Sequence, residues 1–328
     1  MSKIIRLTHV VHDSTCYING LFDILANNGA KYDYYLLCML GGMASFAYLR
    51  FKALHPPYMV YWGNNTKYLL NQLEEIIGFK QIISEGRAYN HEFPKIKQFL
   101  DNGQPVIVGA LDMYYLNYLP DIYHKQRIPI HYVLVVGYDD EKQMIYVQDC
   151  GLSDVQQIPY QEFKDSMNVS VPGMSKKNTY RIITLPRKLP SELETAEKGF
   201  TYVADRLLNP PVSMIGIPAM RKLARDIITW DNDECFNHMV AYAGLTPPLI
   251  ASDLSHNDGL RFEKARVLRD MGKKYQKRKW GDAAHLFMNS GELIIQLCDK
   301  ALKHDVLSCS ELLTRIADTE EKAYELLI

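Results

Sequence analysis

The sequence predicts an α+β fold, and three observations taken in chain order predict it. Helical periodicity comes first, short β-rich runs joined by turn residues follow, and helical periods then dominate to the end. The 328 residues, 47% hydrophobic and 23% charged, suffice for a core in each of two domains.

After Cys16, the apolar residues Ile18, Leu21, Phe22 and Leu25 follow the i, i+3, i+4, i+7 rule, while Asn19, Asp23 and Asn27 fall on the other side. This spacing predicts a first helix, capped by Ser14 or Thr15 and closed by Gly29, with Cys16 in its first turn. Residues 34–49 read as a second, largely buried helix broken near Gly41 and Gly42, and residues 68–77 as a third, amphipathic one. Strand signals then appear at 105–111 (PVIVGAL), 131–138 (HYVLVVGY), 144–149 (MIYVQD) and 179–185 (TYRIITL). The polar run 139–142 makes the second and third of these a hairpin.

The character changes at 185–192 (LPRKLPSE), which sets a boundary between a domain 1–188 and an all-α domain 189–328. Within the latter, residues 259–303 read as a helix pair turning near Gly281, and 308–327 as a final helix started by Ser308 or Ser310. There is no internal repeat and no low-complexity segment.

Charge and cysteine usage narrow the function classes. A net charge of −1 gives no electrostatic reason to expect nucleic acid or an anionic membrane as partner. The longest uncharged run, residues 34–49, falls short of the ~20 apolar residues a spanning helix needs. The N-terminal residues lack an apolar core followed by a cleavage site, so a cytoplasmic location is expected. Six cysteines without a C-x-x-C pair fit reduced thiols rather than a disulfide scaffold or a zinc knuckle.

Three residues stand out together. Cys16 opens a helix, whose N-terminus favours a thiolate; His131 begins an apolar strand; Asp149 ends the next strand of the same hairpin. Antiparallel pairing brings the last two close, so Asp149 can orient an imidazole that meets Cys16 on its other side. Taken singly, each has a plainer reading: a small buried thiol, a strand-end polar residue, a turn former. His9, His12 and Cys16 have the spacing of metal ligands without an obvious common face, and no metal is expected. Cys235 and His238 read as helix packing and capping. The aromatic segment 112–123 is either a loop packed on the sheet edge or the wall of a substrate cleft, with Asp112, Tyr114, Tyr115 and Tyr118 as its candidate residues. The basic run 273–279 reads as a solvated helix face or a docking patch for an acidic carrier protein.

Several segments together resemble the butirosin biosynthesis protein H N-terminal family, papain-like acyltransferases related to bacteriocin-processing cysteine peptidases. They are Cys16 with Gly29, residues 40–48 (LGGMASFAY), 105–120 (PVIVGALDMYYLNYLP) and 131–149 (HYVLVVGYDDEKQMIYVQD). Residues from about 200 onward resemble, more loosely, the helical domain that accompanies it. The resemblance implies a papain-like fold for the N-terminal domain and Cys16, His131 and Asp149 as its triad. It also implies transfer of an acyl group from a carrier-protein thioester to an amine in specialised metabolism. The partners would be an acyl or peptidyl carrier protein and a small amine. No cofactor is implied beyond the phosphopantetheine on which the carrier holds the substrate; a homodimer stays open. Thr15 stands where the family often has histidine, and Val10 where papain-like peptidases have glutamine. The oxyanion donors expected are therefore the Cys16 N–H with Ser14, Thr15 or His12. A cysteine peptidase or thioester hydrolase with the same triad, and a non-catalytic binding protein on the same fold, are the alternatives.

Overall fold

A computed structural model describes residues 1–12, 15–51, 53, 55–63, 66–244 and 253–328. In chain order the elements begin with β1 (Ser2–Ile4), α1 (Cys16–Asn27), α2 (Tyr34–Leu40), β2 (Ala47–Arg50), β3 (Tyr58–Tyr61), α3 (Thr66–Ile77), β4 (Lys80–Ser84), α4 (Tyr89–Asp101) and β5 (Val106–Leu111). The β6 (His131–Asp139) and β7 (Met144–Asp149) hairpin, β8 (Leu152–Pro159), α5 (Tyr160–Met167) and β9 (Tyr180–Thr184) follow. The helical remainder is α6 (Glu192–Leu208), α7 (Gly216–Asp226), α8 (Asp233–Ala241), α9 (Arg261–Lys274), α10 (Arg278–Leu302) and α11 (Val306–Glu325). The architecture is α+β, with an antiparallel sheet and a helical C-terminal part.

The chain forms two compact units. One comprises Met1–Tyr34 with Asn65–Glu192, the other Tyr35–Asn64 with Leu193–Ile328. A single cut between 188 and 189 places residues 35–64 in the first domain; they group instead with the helical unit. The helix expected over 34–49 also ends early. Gly42 turns left-handed at φ +96°, its N–H returns to the Met39 carbonyl, and the chain leaves as β2, paired with β3.

In the first unit the sheet runs β4-β9-β5-β6-β7-β8, every pairing antiparallel, and β1 joins β6 where β5 leaves off. β5 and β6 are buried almost throughout because both faces of the sheet are covered, which is why they read as unbroken apolar runs. Val106, Val108, Val133 and Val135 share a core with Ile96 and Leu100 of α4 and Phe163 and Met167 of α5. The intervening Ile107 and Leu134 face Gly20 of α1, where an added Cβ would stand 3.0 Å from the Ile107 side chain. Glycine thus lets α1 lie close against the strands.

Glu92 on α4 is fully buried, and it ties that helix to the sheet. Its carboxylate accepts from Ser84 of β4 and Tyr180 of β9, each at 2.8 Å, and from Lys95 at 3.0 Å, with the His91 ring at 2.7 Å. Burial alone would raise its pKa; the hydrogen bonds prevail and hold it near 2. Glu92→Ala should cost about 2–4 kcal/mol in urea unfolding, because Tyr180 keeps a buried hydroxyl without its acceptor. The depressed pKa also fixes a sign. This contribution is present above the ordinary value of 4.5 and is lost as pH falls toward 2, so the difference between wild type and variant should shrink with acid.

The second unit holds the β2–β3 hairpin and the helices from α6 onward. α9 and α10 pack as an antiparallel pair that turns at residues 275–277, with Gln276 left-handed, and not at Gly281. Gly281 lies inside α10, where an added Cβ would meet nothing within 4 Å; Gly272 is the glycine that serves close helix approach, since a Cβ there would come within 3.2 Å of the Gly281 backbone nitrogen. α11 is capped by Asp305, whose carboxylate accepts from the Ser308 N–H, while Ser310 donates to the Ala224 carbonyl. Among the described residues no helix is long and apolar enough to cross a membrane.

Candidate active site

Cys16 is the first residue of α1. Thr15 caps the helix in an extended conformation (φ −165°, ψ 133°), its hydroxyl accepting from the Tyr17 N–H, and Gly29 follows the end at φ +86°. Ile18, Leu21 and Leu25 are fully buried, which fixes the helix's rotation. Of the polar residues on the other side, Asn27 is exposed and the other two are not. Asn19 and Asp23 are as buried as the apolar face, because residues 5–12 lie across them: Asn27 exchanges hydrogen bonds with both backbone groups of Thr8, and His9 reaches Asp23.

The β6–β7 hairpin supplies the other two residues. It closes through Asp139, whose carboxylate accepts from the Glu141 and Lys142 N–H groups, and its open end carries His131 and Asp149. His131 Nε2 lies 2.7 Å from Asp149 Oδ2, with both residues buried. The Cys16 side chain acts electrostatically on the His131 ring, and the Cys16 sulfur approaches the neighbouring Ile130 carbonyl at 4.0 Å. Asp149 is itself held on three sides. Tyr118 donates to Oδ2 at 2.8 Å, the Cys150 N–H to Oδ1 at 2.7 Å, and His9 Nε2 meets the Asp149 carbonyl oxygen at 3.0 Å.

The electrostatics follow. Burial would push the His131 pKa down, but the Cys16 thiolate beside it and the bonds to Asp149 and Cys16 outweigh that and raise it to about 10. Burial opposes the charge of Asp149 as well; His131 and hydrogen bonds from the Tyr118 and Cys150 side chains overcome it and hold the carboxylate below its ordinary range. Burial and the same carboxylate keep Tyr118 protonated, as a donor. A cysteine sulfur beside an imidazole that is held by a carboxylate is the kind of set nucleophilic catalysis uses. Because the thiolate is a main cause of the raised His131 value, Cys16→Ser should drop it: desolvation then acts with less to oppose it. Titration of the His131 ring by NMR should show an imidazolium persisting beyond pH 9 only in the wild type.

The remaining candidates are placed as follows. Ser14 lies outside the described residues. Thr15 is engaged as the cap, and its carbonyl accepts from the Tyr34 hydroxyl at 2.7 Å. His12 stacks on Tyr34 with ring centres 3.7 Å apart and meets Phe22 edge-on, while its N–H donates to the Cys150 carbonyl. Asp112 is occupied and almost wholly buried. It accepts from Arg127 and from the Tyr114 and Ile128 N–H groups, which braces the segment leading to His131 rather than leaving a carboxylate for an amine. Tyr114 and Tyr115 lie under the Arg127 guanidinium, 4.4 and 5.0 Å from it. Of the four aromatic-segment candidates, Tyr118 alone bonds to one of the three candidate residues, Asp149. Sequence reasoning missed His9 as a partner of Asp149. The signal was faint: a histidine before a helix whose polar side carries a carboxylate. Among the described residues no group of three His, Cys, Asp or Glu side chains could hold a metal ion.

An α+β unit with a cysteine at a helix start, facing a carboxylate-held imidazole, defines a protein with a thiol-centred site. Residues 15–150 match the family described as Butirosin biosynthesis protein H, N-terminal, and residues 164–248 match a Domain of unknown function (DUF4872). The two matches follow one another along the chain, the second after the first. Cys16, His131 and Asp149 all fall inside the first match. No curated protein matches the chain.

Proposed function

We propose that this protein is an amide-forming acyltransferase of papain-like type, acting in specialised-metabolite biosynthesis. The acyl donor is the phosphopantetheine thioester of an acyl or peptidyl carrier protein, and the acceptor is a small amine. The observation that carries this reading is the His131 imidazole between the Cys16 thiol and the Asp149 carboxylate. The match of residues 15–150 to a family named for butirosin biosynthesis supports the metabolic setting.

The Cys16 thiolate attacks the thioester carbonyl, the carbon–sulfur bond to the carrier breaks, and His131 gives its proton to the departing carrier thiolate. The oxyanion is met by the Cys16 N–H, one of the helix donors that lack an intrahelical partner. Acylation removes the thiolate that held the imidazole protonated, so burial now favours neutral His131. The neutral ring accepts a proton from the attacking amine as the new C–N bond forms, and Cys16 leaves as thiolate, restoring the ion pair. Asp149 holds the ring tautomer throughout.

Thioester exchange needs little driving force, so the distinguishing task is to favour amine over water at the acyl-enzyme. Incubation with an acylated carrier protein and a panel of small amines, followed by mass spectrometry of the products, tests this. Amide is expected from at least one amine, at the expense of free acid; free acid alone would identify a thioester hydrolase.

A further inference from the structure

The side chain of His9 is 3% exposed, and its ring is held from both ends by different elements. Nδ1 lies 2.7 Å from Asp23 Oδ2, two turns along α1 from Cys16, and Nε2 lies 3.0 Å from the backbone carbonyl of Asp149. A carbonyl oxygen only accepts, so Nε2 carries a hydrogen. A carboxylate also accepts, so Nδ1 carries one as well, and the ring is an imidazolium paired with Asp23. The hydrogen bond that His9 donates to Asp23 is the leading cause of its raised pKa, against the opposing effect of burial. Asn19, one turn before Asp23, donates to the same Oδ2 at 3.4 Å, and Asn27 donates to the Asp23 carbonyl at 2.9 Å. The Gln148 side chain donates to the Leu7 carbonyl, so the strand residue before Asp149 is tied to the same segment.

We propose that His9, locked to Asp23, is a positioning residue: a charged strut that fixes the distance between the helix carrying Cys16 and the strand end carrying Asp149. His131 is set by Asp149, so its alignment with the sulfur depends on the strut. Two elements far apart in sequence are thereby held at one spacing by one ring. The role concerns the proposed triad and therefore rests on that reading.

Alkylation of Cys16 by iodoacetamide, followed by intact-mass and peptide spectrometry, tests the strut without any acyl substrate. His9→Phe removes both bonds, and Asp23→Asn removes the charge at constant size. Each should slow alkylation at pH 7 by about ten- to a hundredfold, the scale on which an ångström of misplacement acts. Asn27→Ala, which loosens the segment at Thr8 without touching the His9 bonds to Asp23 and Asp149, should leave the rate within about twofold. Should His9→Phe fail to fold, the isosteric Asp23→Asn carries the test. Wild-type rates in His9→Phe or Asp23→Asn would overturn the strut, and so would an equal loss in Asn27→Ala, which would mark general loosening. A wild-type Cys16 no more reactive than in His131→Ala would instead overturn the triad on which the strut rests.

Discussion

His131→Ala is expected to slow alkylation of Cys16 at pH 7 by about a hundredfold and to reduce acyl transfer by at least about a thousandfold. The two losses differ because the imidazole has two tasks. In the proposed mechanism it stabilises the thiolate as a buried cation, and it moves a proton in each half of the reaction. The pH dependence separates them. In the wild type the imidazolium persists to about 10, so the thiolate is stabilised across neutral pH. In the variant no buried cation stands beside the sulfur, so the alkylation deficit should be largest at low pH and narrow as the pH rises. The transfer deficit should persist at every pH, since no proton carrier replaces the ring. An alkylation rate unchanged at pH 7 would show that Cys16 is not paired with His131 in solution.

Glu320→Ala should be the most destabilising single substitution in the helical unit, costing about 3–5 kcal/mol. Arg261 and Glu320 are both fully inaccessible and joined by two hydrogen bonds, Nε to Oε1 at 2.7 Å and Nη2 to Oε2 at 3.1 Å. Ser290 donates to the same carboxylate at 2.6 Å, and the Arg261 guanidinium also donates to the Trp62 and Gly259 carbonyls. Lys264 is buried a turn away, over the Phe287 and Tyr324 rings; burial, then the Arg261 charge, lower its pKa to about 7. Removing Glu320 leaves a guanidinium without its counter-charge and takes from Lys264 the one carboxylate that favoured its protonation. Denaturant unfolding monitored by helical circular dichroism should show the loss. An Arg261→Met, Glu320→Leu pair should recover most of it, because replacing both partners leaves no orphaned charge. If Glu320→Ala unfolds like wild type, the pair is not buried as described.

The parts of the fold legible in the sequence are those specified locally. The first helix could be read from a cap, a 3.6-residue apolar stripe and a closing glycine within fifteen residues, and the structure has Thr15, Cys16–Asn27 and Gly29 in those roles. The β6–β7 hairpin could be read from two apolar runs and a polar turn, and this alone brought His131 to Asp149. What escaped depended on residues distant in sequence. Asn19 and Asp23 obey the pattern of a solvent face, and only the return of residues 5–12 across them makes them core. Residues 35–64 look continuous with what precedes them, yet their partners lie beyond residue 193. Gly281 signals a turn by its residue type, yet it lies inside α10; no local pattern distinguishes a glycine within a helix from one that ends it. Asp112 carries the right chemistry for an amine site, and its capture by Arg127 and Ile128 follows from the path of a loop the sequence leaves undefined.

The central claim is that Cys16 becomes acylated. Intact-mass spectrometry of the protein after brief exposure to an acyl carrier protein thioester, without amine, tests it most directly. A mass increase equal to the acyl group, mapped to the peptide containing Cys16, absent from Cys16→Ala and discharged on adding amine, is the expected result. Acyl transfer to product by Cys16→Ala at the wild-type rate, or an adduct on another residue, would contradict the account.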